Sequence, residues 1–150
     1  MKIGVVQFAA KLGQTAENAQ RVQQYIENAS SQGCRLVLFP EMSDTGYEMD
    51  MIMSSACSWE ESQFLTVLRA AAKKHNIYVV SGLSERVKDD VFNAVAAIDP
   101  SGKIIGHYRK IHLFTSAPVH EEKYLKPGSN PTTFQVDDLL CGVMVCYDLR

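Results

Sequence analysis

Three side chains have the types and settings that nucleophilic acyl transfer requires. Glu41 closes the run LVLFPE, Lys110 sits within HYRKIHLF, and Cys146 sits within GVMVCYDLR. Each falls just past a stretch that reads as a β-strand, and in α/β sheets sites assemble at the carboxyl ends of strands. A cysteine attacks as its thiolate, so it needs a base. A carboxylate serves as that base, the more so where burial raises its pKa. The tetrahedral intermediate of acyl transfer carries an oxyanion, which an ammonium and a backbone N–H stabilise. Taken singly, each residue has an ordinary reading: Cys146 as an inert buried thiol, Lys110 as a surface lysine after a hairpin, Glu41 as a loop carboxylate. Only the set carries chemistry.

No competing set stands out. The four cysteines, Cys34, Cys57, Cys141 and Cys146, form no C-x-x-C pair and no metal-finger spacing. His75, His107, His112 and His120 lack ligand spacing for zinc, so no metal site is expected. None of them has the context of a papain-like Cys–His enzyme either. Cys141 reads as core, and His112 as a structural group beside Lys110. Met49, Met51 and Met53 suit either a pocket wall or an interface.

The elements that must position these residues read as follows. Lys2–Phe8 is a strand. Residues 15–32 carry small or apolar side chains at Ala19, Val22, Ile26 and Ala29, one face of a helix with Gly33 as its stop. Arg35–Phe39 is a buried strand broken by Pro40. Residues 42–57 show no period and read as one long loop. Ser58 with Glu61 fits a capping box, opening a helix whose face runs through Phe64, Leu65, Leu68, Ala71 and Ala72. Strands follow at Ile77–Ser84, Val91–Asp99 and Lys103–Arg109, then an irregular stretch 111–131, then strands at Thr132–Val136 and Leu139–Cys146. VFNAVAAI and LLCGVMVC are almost continuously apolar, as in strands covered on both faces. Six or seven strands thus expect one sheet with two helices on one face and nothing left to cover the other.

Composition limits the classes of function. The 150 residues are 46% hydrophobic and 21% charged, an ordinary globular balance rather than a disordered one. A formal net charge of −2 at pH 7 offers no electrostatic case for nucleic acid or an anionic membrane. No run approaches the roughly 18 apolar residues of a membrane span. The opening MKIGVVQFAAK is too short in its apolar part for a secretory signal, so a cytoplasmic setting with reduced thiols is expected.

With those stretches in view, the sequence resembles the carbon–nitrogen hydrolase (nitrilase-like) superfamily. That family is known for a Glu–Lys–Cys triad in this chain order, matched by Phe39-Pro40-Glu41, by Arg109-Lys110-Ile111-His112-Leu113-Phe114 and by Cys146-Tyr147-Asp148-Leu149-Arg150. The likeness runs from Met1 to Arg150. It implies an α/β fold, the N-terminal part of an α-β-β-α four-layer sandwich with a mixed sheet. It further implies one domain over 1–150, incomplete at its C-terminal end, because family members continue for about as long again. Glu41 would be the base, Cys146 the nucleophile, and Lys110 with the Tyr147 N–H the oxyanion donors, with no metal and no cofactor. A second family glutamate precedes a Pro-Gly; of Glu121 and Glu122, ahead of Pro127-Gly128, Glu121 matches better. Tyr47, just past Glu41, would line the pocket or else pack the loop. Arg150 would bind a substrate carboxylate, or else pair with Asp148. Cys-Tyr-Asp resembles the amidase branches, omega-amidases above all, rather than nitrile hydrolysers. The expected substrate is therefore a small non-peptide amide, with N-carbamoyl amino acids or an inactive fragment as alternatives. The family is usually a dimer or larger.

Overall fold

The N-terminal run contributes β1 (Ile3–Val5), which pairs in parallel with β2 (Leu36–Leu38). A parallel pair needs a crossover, and α1 (Thr15–Ser31) supplies it, burying the stripe Ala19, Val22, Ile26 and Ala29 that the spacing marks. A second crossover leads to β3 (Tyr78–Val87), also parallel to β2. β4 (Asp90–Ile98) and β5 (Ile104–Arg109) then add as antiparallel neighbours. The result is a mixed five-stranded sheet in the order β1-β2-β3-β4-β5. The computed structural model describes all residues from Met1 to Arg150.

The second crossover departs from its sequence reading twice. Residues 42–57 are not one loop: they contain α2 (Met49–Ser55), opened by the Glu48 carboxylate accepting from Met51 N at 3.0 Å and anchored by buried Met49 and Ile52. Ser58 does pair with Glu61, its hydroxyl 2.9 Å from Glu61 Oε2, but in the turn before the next helix. α3 (Gln63–His75) is capped by Ser62, whose Oγ accepts from Leu65 N at 3.1 Å. Ser62 wins because only Gln63 separates it from Phe64 and Leu65, the first residues that α3 buries.

α1 and α3 cover one face of the sheet, where Val22, Ile26, Leu65 and Leu68 meet Val37, Val79, Leu83 and Ile98. The other face is not bare, contrary to the expectation from strand counting. β6 (Thr133–Val136) and β7 (Leu139–Gly142) form a separate antiparallel hairpin instead of extending the sheet. It lays Phe134 and Val136, together with Val145, onto Leu36, Val80, Val95, Ala97 and Tyr108. Arg35 clamps the hairpin turn to the start of β2 through Asp137, at 2.9 and 2.7 Å. β7 ends at Gly142 rather than running to Cys146, and apolar side chains here are not all covered: Leu140 on β7 is 72% exposed, and Met144 just beyond it 63%. No helix is long and apolar enough to cross a membrane.

Candidate active site

Glu41 follows β2 by way of Phe39 and Pro40 and is held against β3. Gly82 N donates to Pro40 O at 3.2 Å, and Ser43 N donates to Gly82 O at 3.0 Å. The approach is so close that a Cβ on Gly82 would lie 2.4 Å from Glu41 Cα. The next residues are tied down by a buried carboxylate: Asp44 accepts from Ser84 N at 2.9 Å and from Ser84 Oγ, while Asn18 Nδ2 donates to Asp44 O at 2.8 Å. Met42 between them is buried and has φ of +50°, a conformation that costs a side-chain-bearing residue free energy and needs such fixing.

Lys110 comes directly after β5. Its neighbour Arg109 is locked to Glu85 by two hydrogen bonds of 2.7 and 2.8 Å. Gly128 N donates to Lys110 O at 2.8 Å, and a Cβ on Gly128 would meet Arg109 O at 2.2 Å. The Lys110 side chain is fully buried, and its Nζ lies 2.8 Å from Glu121 Oε2 and 3.5 Å from Glu41 Oε2. Burial pulls its pKa down, but the Glu121 hydrogen bond and the Glu41 charge outweigh burial, so the ammonium is held charged. Glu121, also fully buried, opens a 3-10 turn (Glu121–Lys123) and accepts from Phe114 N at 2.7 Å. Asn93 on β4 joins the group: its Nδ2 lies 3.0 Å from Glu41 Oε2 and 3.3 Å from Glu121 Oε1.

Cys146 begins a second 3-10 turn (Cys146–Leu149) with φ of +48°, so the chain bends sharply at the thiol and presents it to solvent. Asp148 braces this bend. Its carboxylate accepts from Val145 N at 2.9 Å, from Tyr108 OH at 2.6 Å and from His112 N at 2.8 Å. Burial alone pulls Asp148 upward, yet those bonds hold its pKa below the usual carboxylate range. Burial and the Glu41 charge push the Cys146 thiol up, against the opposing pull of Lys110. The Glu41 carboxylate is thus near enough to bear on the Cys146 thiol.

The fold thus brings Glu41, Lys110, Glu121 and Cys146 into one group at the strand ends. Glu122 lies outside it, paired with His120 at 2.9 Å. Tyr47 lies beside the group, 37% exposed, and burial of its phenol with the nearby Glu121 carboxylate pushes its pKa up. Tyr147 packs edge-on against Phe114, ring centroids 5.4 Å apart. Arg150 is exposed and does not pair with Asp148, whose oxygens are taken by Tyr108, His112 and Val145. A cavity of about 300 Å³ runs between the sheet and the segment Val143–Cys146 and reaches Glu41. Met49 is core, with Met53 packed beside it, which leaves only Met51 of the three half in solvent. Asn93, Gly82 and Tyr108 escape a reading by motif. The near-continuous apolar setting of Asn93 in VFNAVAAI is the one local signal that marks any of them.

Comparisons with known proteins bear on the family and the fold. 2-Oxoglutaramate amidase of Bacillus subtilis is 35% identical over 156 residues, covering 99% of this chain and 56% of the relative. A nitrilase of Pyrococcus abyssi is 33% identical over 154 residues, with coverage of 99% and 56%. Among solved structures, a Saccharomyces cerevisiae member of branch 10 of the nitrilase superfamily superposes with a TM-score of 0.88 at 29% identity, over 99% of this chain and 56% of that one. An amidase from Nesterenkonia sp. shares the fold at the same TM-score, with 23% identity and coverage of 99% and 56%. The chain spans about half the length of the curated relatives it matches. The sequence model of one family, described as carbon-nitrogen hydrolase, matches residues 2–150, and with that match the chain belongs to the carbon–nitrogen hydrolase family.

Proposed function

We propose that the whole protein is a cysteine-dependent hydrolase of a small non-peptide amide, releasing ammonia and a carboxylic acid. The observation that carries this reading is the buried Lys110 ammonium set between two carboxylates, one of which, Glu41, also faces the Cys146 thiol. Glu41 takes the thiol proton as Cys146 attacks the amide carbonyl. The oxyanion that forms is held by Lys110 and the backbone N–H of Tyr147. Glu41 returns the proton to the departing ammonia, leaving a thioester on Cys146. It then deprotonates water, which attacks the thioester and frees the acid and the thiol. Glu121 holds Lys110 in place through both steps, and Tyr47 closes one side of the site.

Relatives named 2-oxoglutaramate amidase and omega-amidase support a substrate carrying a carboxylate beside its amide. Arg150, close in sequence to the nucleophile and free of Asp148, is the residue we assign to that carboxylate. The test is intact mass after brief incubation with omega-amides of dicarboxylic acids, with ammonia followed in parallel. An acyl adduct on Cys146 is expected at early times, with no adduct and no ammonia from Cys146→Ala. Hydrolysis unaltered by Cys146→Ala would overturn the reading.

A further inference from the structure

The geometry points to Asn93 as a positioning residue for the Glu41–Lys110–Cys146 group, acting through the two carboxylates rather than on substrate. The inference deepens the amide-hydrolase reading and rests on it.

Asn93 is fully buried on β4 and touches three members of the group at once. Its Nδ2 donates to Glu41 Oε2 at 3.0 Å and to Glu121 Oε1 at 3.3 Å, and its backbone O accepts from Lys110 N at 2.8 Å. Its Oδ1 is buried without a partner. A buried polar atom left unpaired is a cost that an apolar side chain of similar size would avoid. What Asn93 supplies, and such a side chain would not, is a pair of N–H donors aimed at two carboxylates.

The charge balance shows why those donors matter. Two carboxylates meet one ammonium, so the group keeps excess negative charge even with Lys110 protonated. Like charges in close quarters repel one another. A neutral donor shared between Glu41 and Glu121 offsets that tendency. A second cation in its place would draw the proton off Cys146 before substrate arrives. The same bond orients the carboxylate: Asn93 and Lys110 both approach Glu41 Oε2.

The test follows the thiol, not turnover. Alkylation of Cys146 by iodoacetamide is measured against pH by peptide mass, with Cys34, Cys57 and Cys141 as internal references. Wild type is compared with Asn93→Asp, Asn93→Ser and Glu41→Gln, each checked for fold by circular dichroism. Asn93→Asp adds a third carboxylate and is expected to raise the Cys146 midpoint by about one pH unit, making alkylation about tenfold slower on the acid side. Asn93→Ser, too short to reach both carboxylates, is expected to raise it by less, and it carries the test if Asn93→Asp does not fold. Glu41→Gln removes the facing charge and is expected to lower the midpoint. Shifts confined to Cys146 support the inference. A wild-type midpoint in the folded Asn93 variants, with the Glu41→Gln shift present, overturns the role of Asn93 alone. An unmoved midpoint in Glu41→Gln overturns the Glu41–Cys146 pairing itself.

Discussion

The Tyr108 hydroxyl donates to Asp148 Oδ2 at 2.6 Å, and this contact ties the end of β5, which delivers Lys110, to the bend that delivers Cys146. Tyr108 is buried, and its hydroxyl also accepts from Ile111 N at 3.2 Å. Burial, with the Asp148 bond next, pushes its pKa up to about 12, so it stays a donor throughout the working range. Tyr108→Phe keeps the ring and removes this link. It is expected to destabilise the fold by about 1.5–3 kcal/mol, the range for hydrogen bonds to a charged partner. Urea unfolding measures that loss, and the acylation rate of Cys146 should fall with it because the thiol and the lysine lose their common brace.

The same carboxylate gives the fold an acid limb of definite sign. The pKa of Asp148 in the folded chain lies below its unfolded value. Its contribution is therefore complete above the unfolded pKa, about 3.9, and is lost as pH falls through the lower folded value. Asp148→Asn is expected to be less stable near neutrality, with a shallower loss on acidification. Urea midpoints measured from neutral pH down through the carboxylate range check this. Glu85, Asp99 and Asp137, also held low, are present in both proteins, so the difference between the two curves isolates Asp148. Parallel curves would contradict the assignment.

How far the site was legible in the sequence follows from which of its relationships are local. Glu41, Lys110 and Cys146 stand out because each comes within a few residues of the end of a strand, and the helix stripe Ala19–Val22–Ile26–Ala29 stands out because period is local. Gly82 and Asn93 do not, since their roles come from register. The β3–β4 ladder sets Gly82 opposite Val95 and Asn93 opposite Ser84, pairings that no spacing in one segment reveals. α2 was hidden for another reason: two buried positions, Met49 and Ile52, are too few to show a period, and a glutamate is an unusual cap. The second layer was missed because strand count alone does not tell one sheet from two; the Arg35–Asp137 clamp that folds the hairpin back joins residues far apart in the chain.

Two glycines act as spacers behind the reactive groups. Gly82→Ala would set a Cβ 2.4 Å from Glu41 Cα, and Gly128→Ala one 2.2 Å from Arg109 O, both against backbone that has no soft way to yield. Overpacking of this kind costs about 1–3 kcal/mol. The larger effect is expected on chemistry, because displacing a base or an oxyanion donor by about 1 Å lowers rate on the order of 10²-fold. Gly82→Ala should act on proton transfer and Gly128→Ala on the oxyanion. Turnover set beside thermal unfolding of each variant separates the two effects, and an alanine variant with wild-type turnover would remove the spacer role.

Lys110 and Glu121 form a buried ion pair, neither side chain exposed at all, and pairs of this kind behave asymmetrically. Removing one partner leaves a buried charge uncompensated and costs about 3–5 kcal/mol. Lys110→Met should come near that figure, since Glu121 then faces Glu41 with only Asn93 between them. Glu121→Gln should cost less, because Glu41 stays within 3.5 Å of the ammonium. In Lys110→Met/Glu121→Gln both charges are gone, so much of the stability should return, while turnover stays lost on the order of 10²–10³-fold or more for want of the oxyanion donor proposed above. Denaturant unfolding of the four proteins gives the coupling directly. Additive losses in the double variant would mean that Glu121 does not hold Lys110, and the positioning role proposed for it would fall.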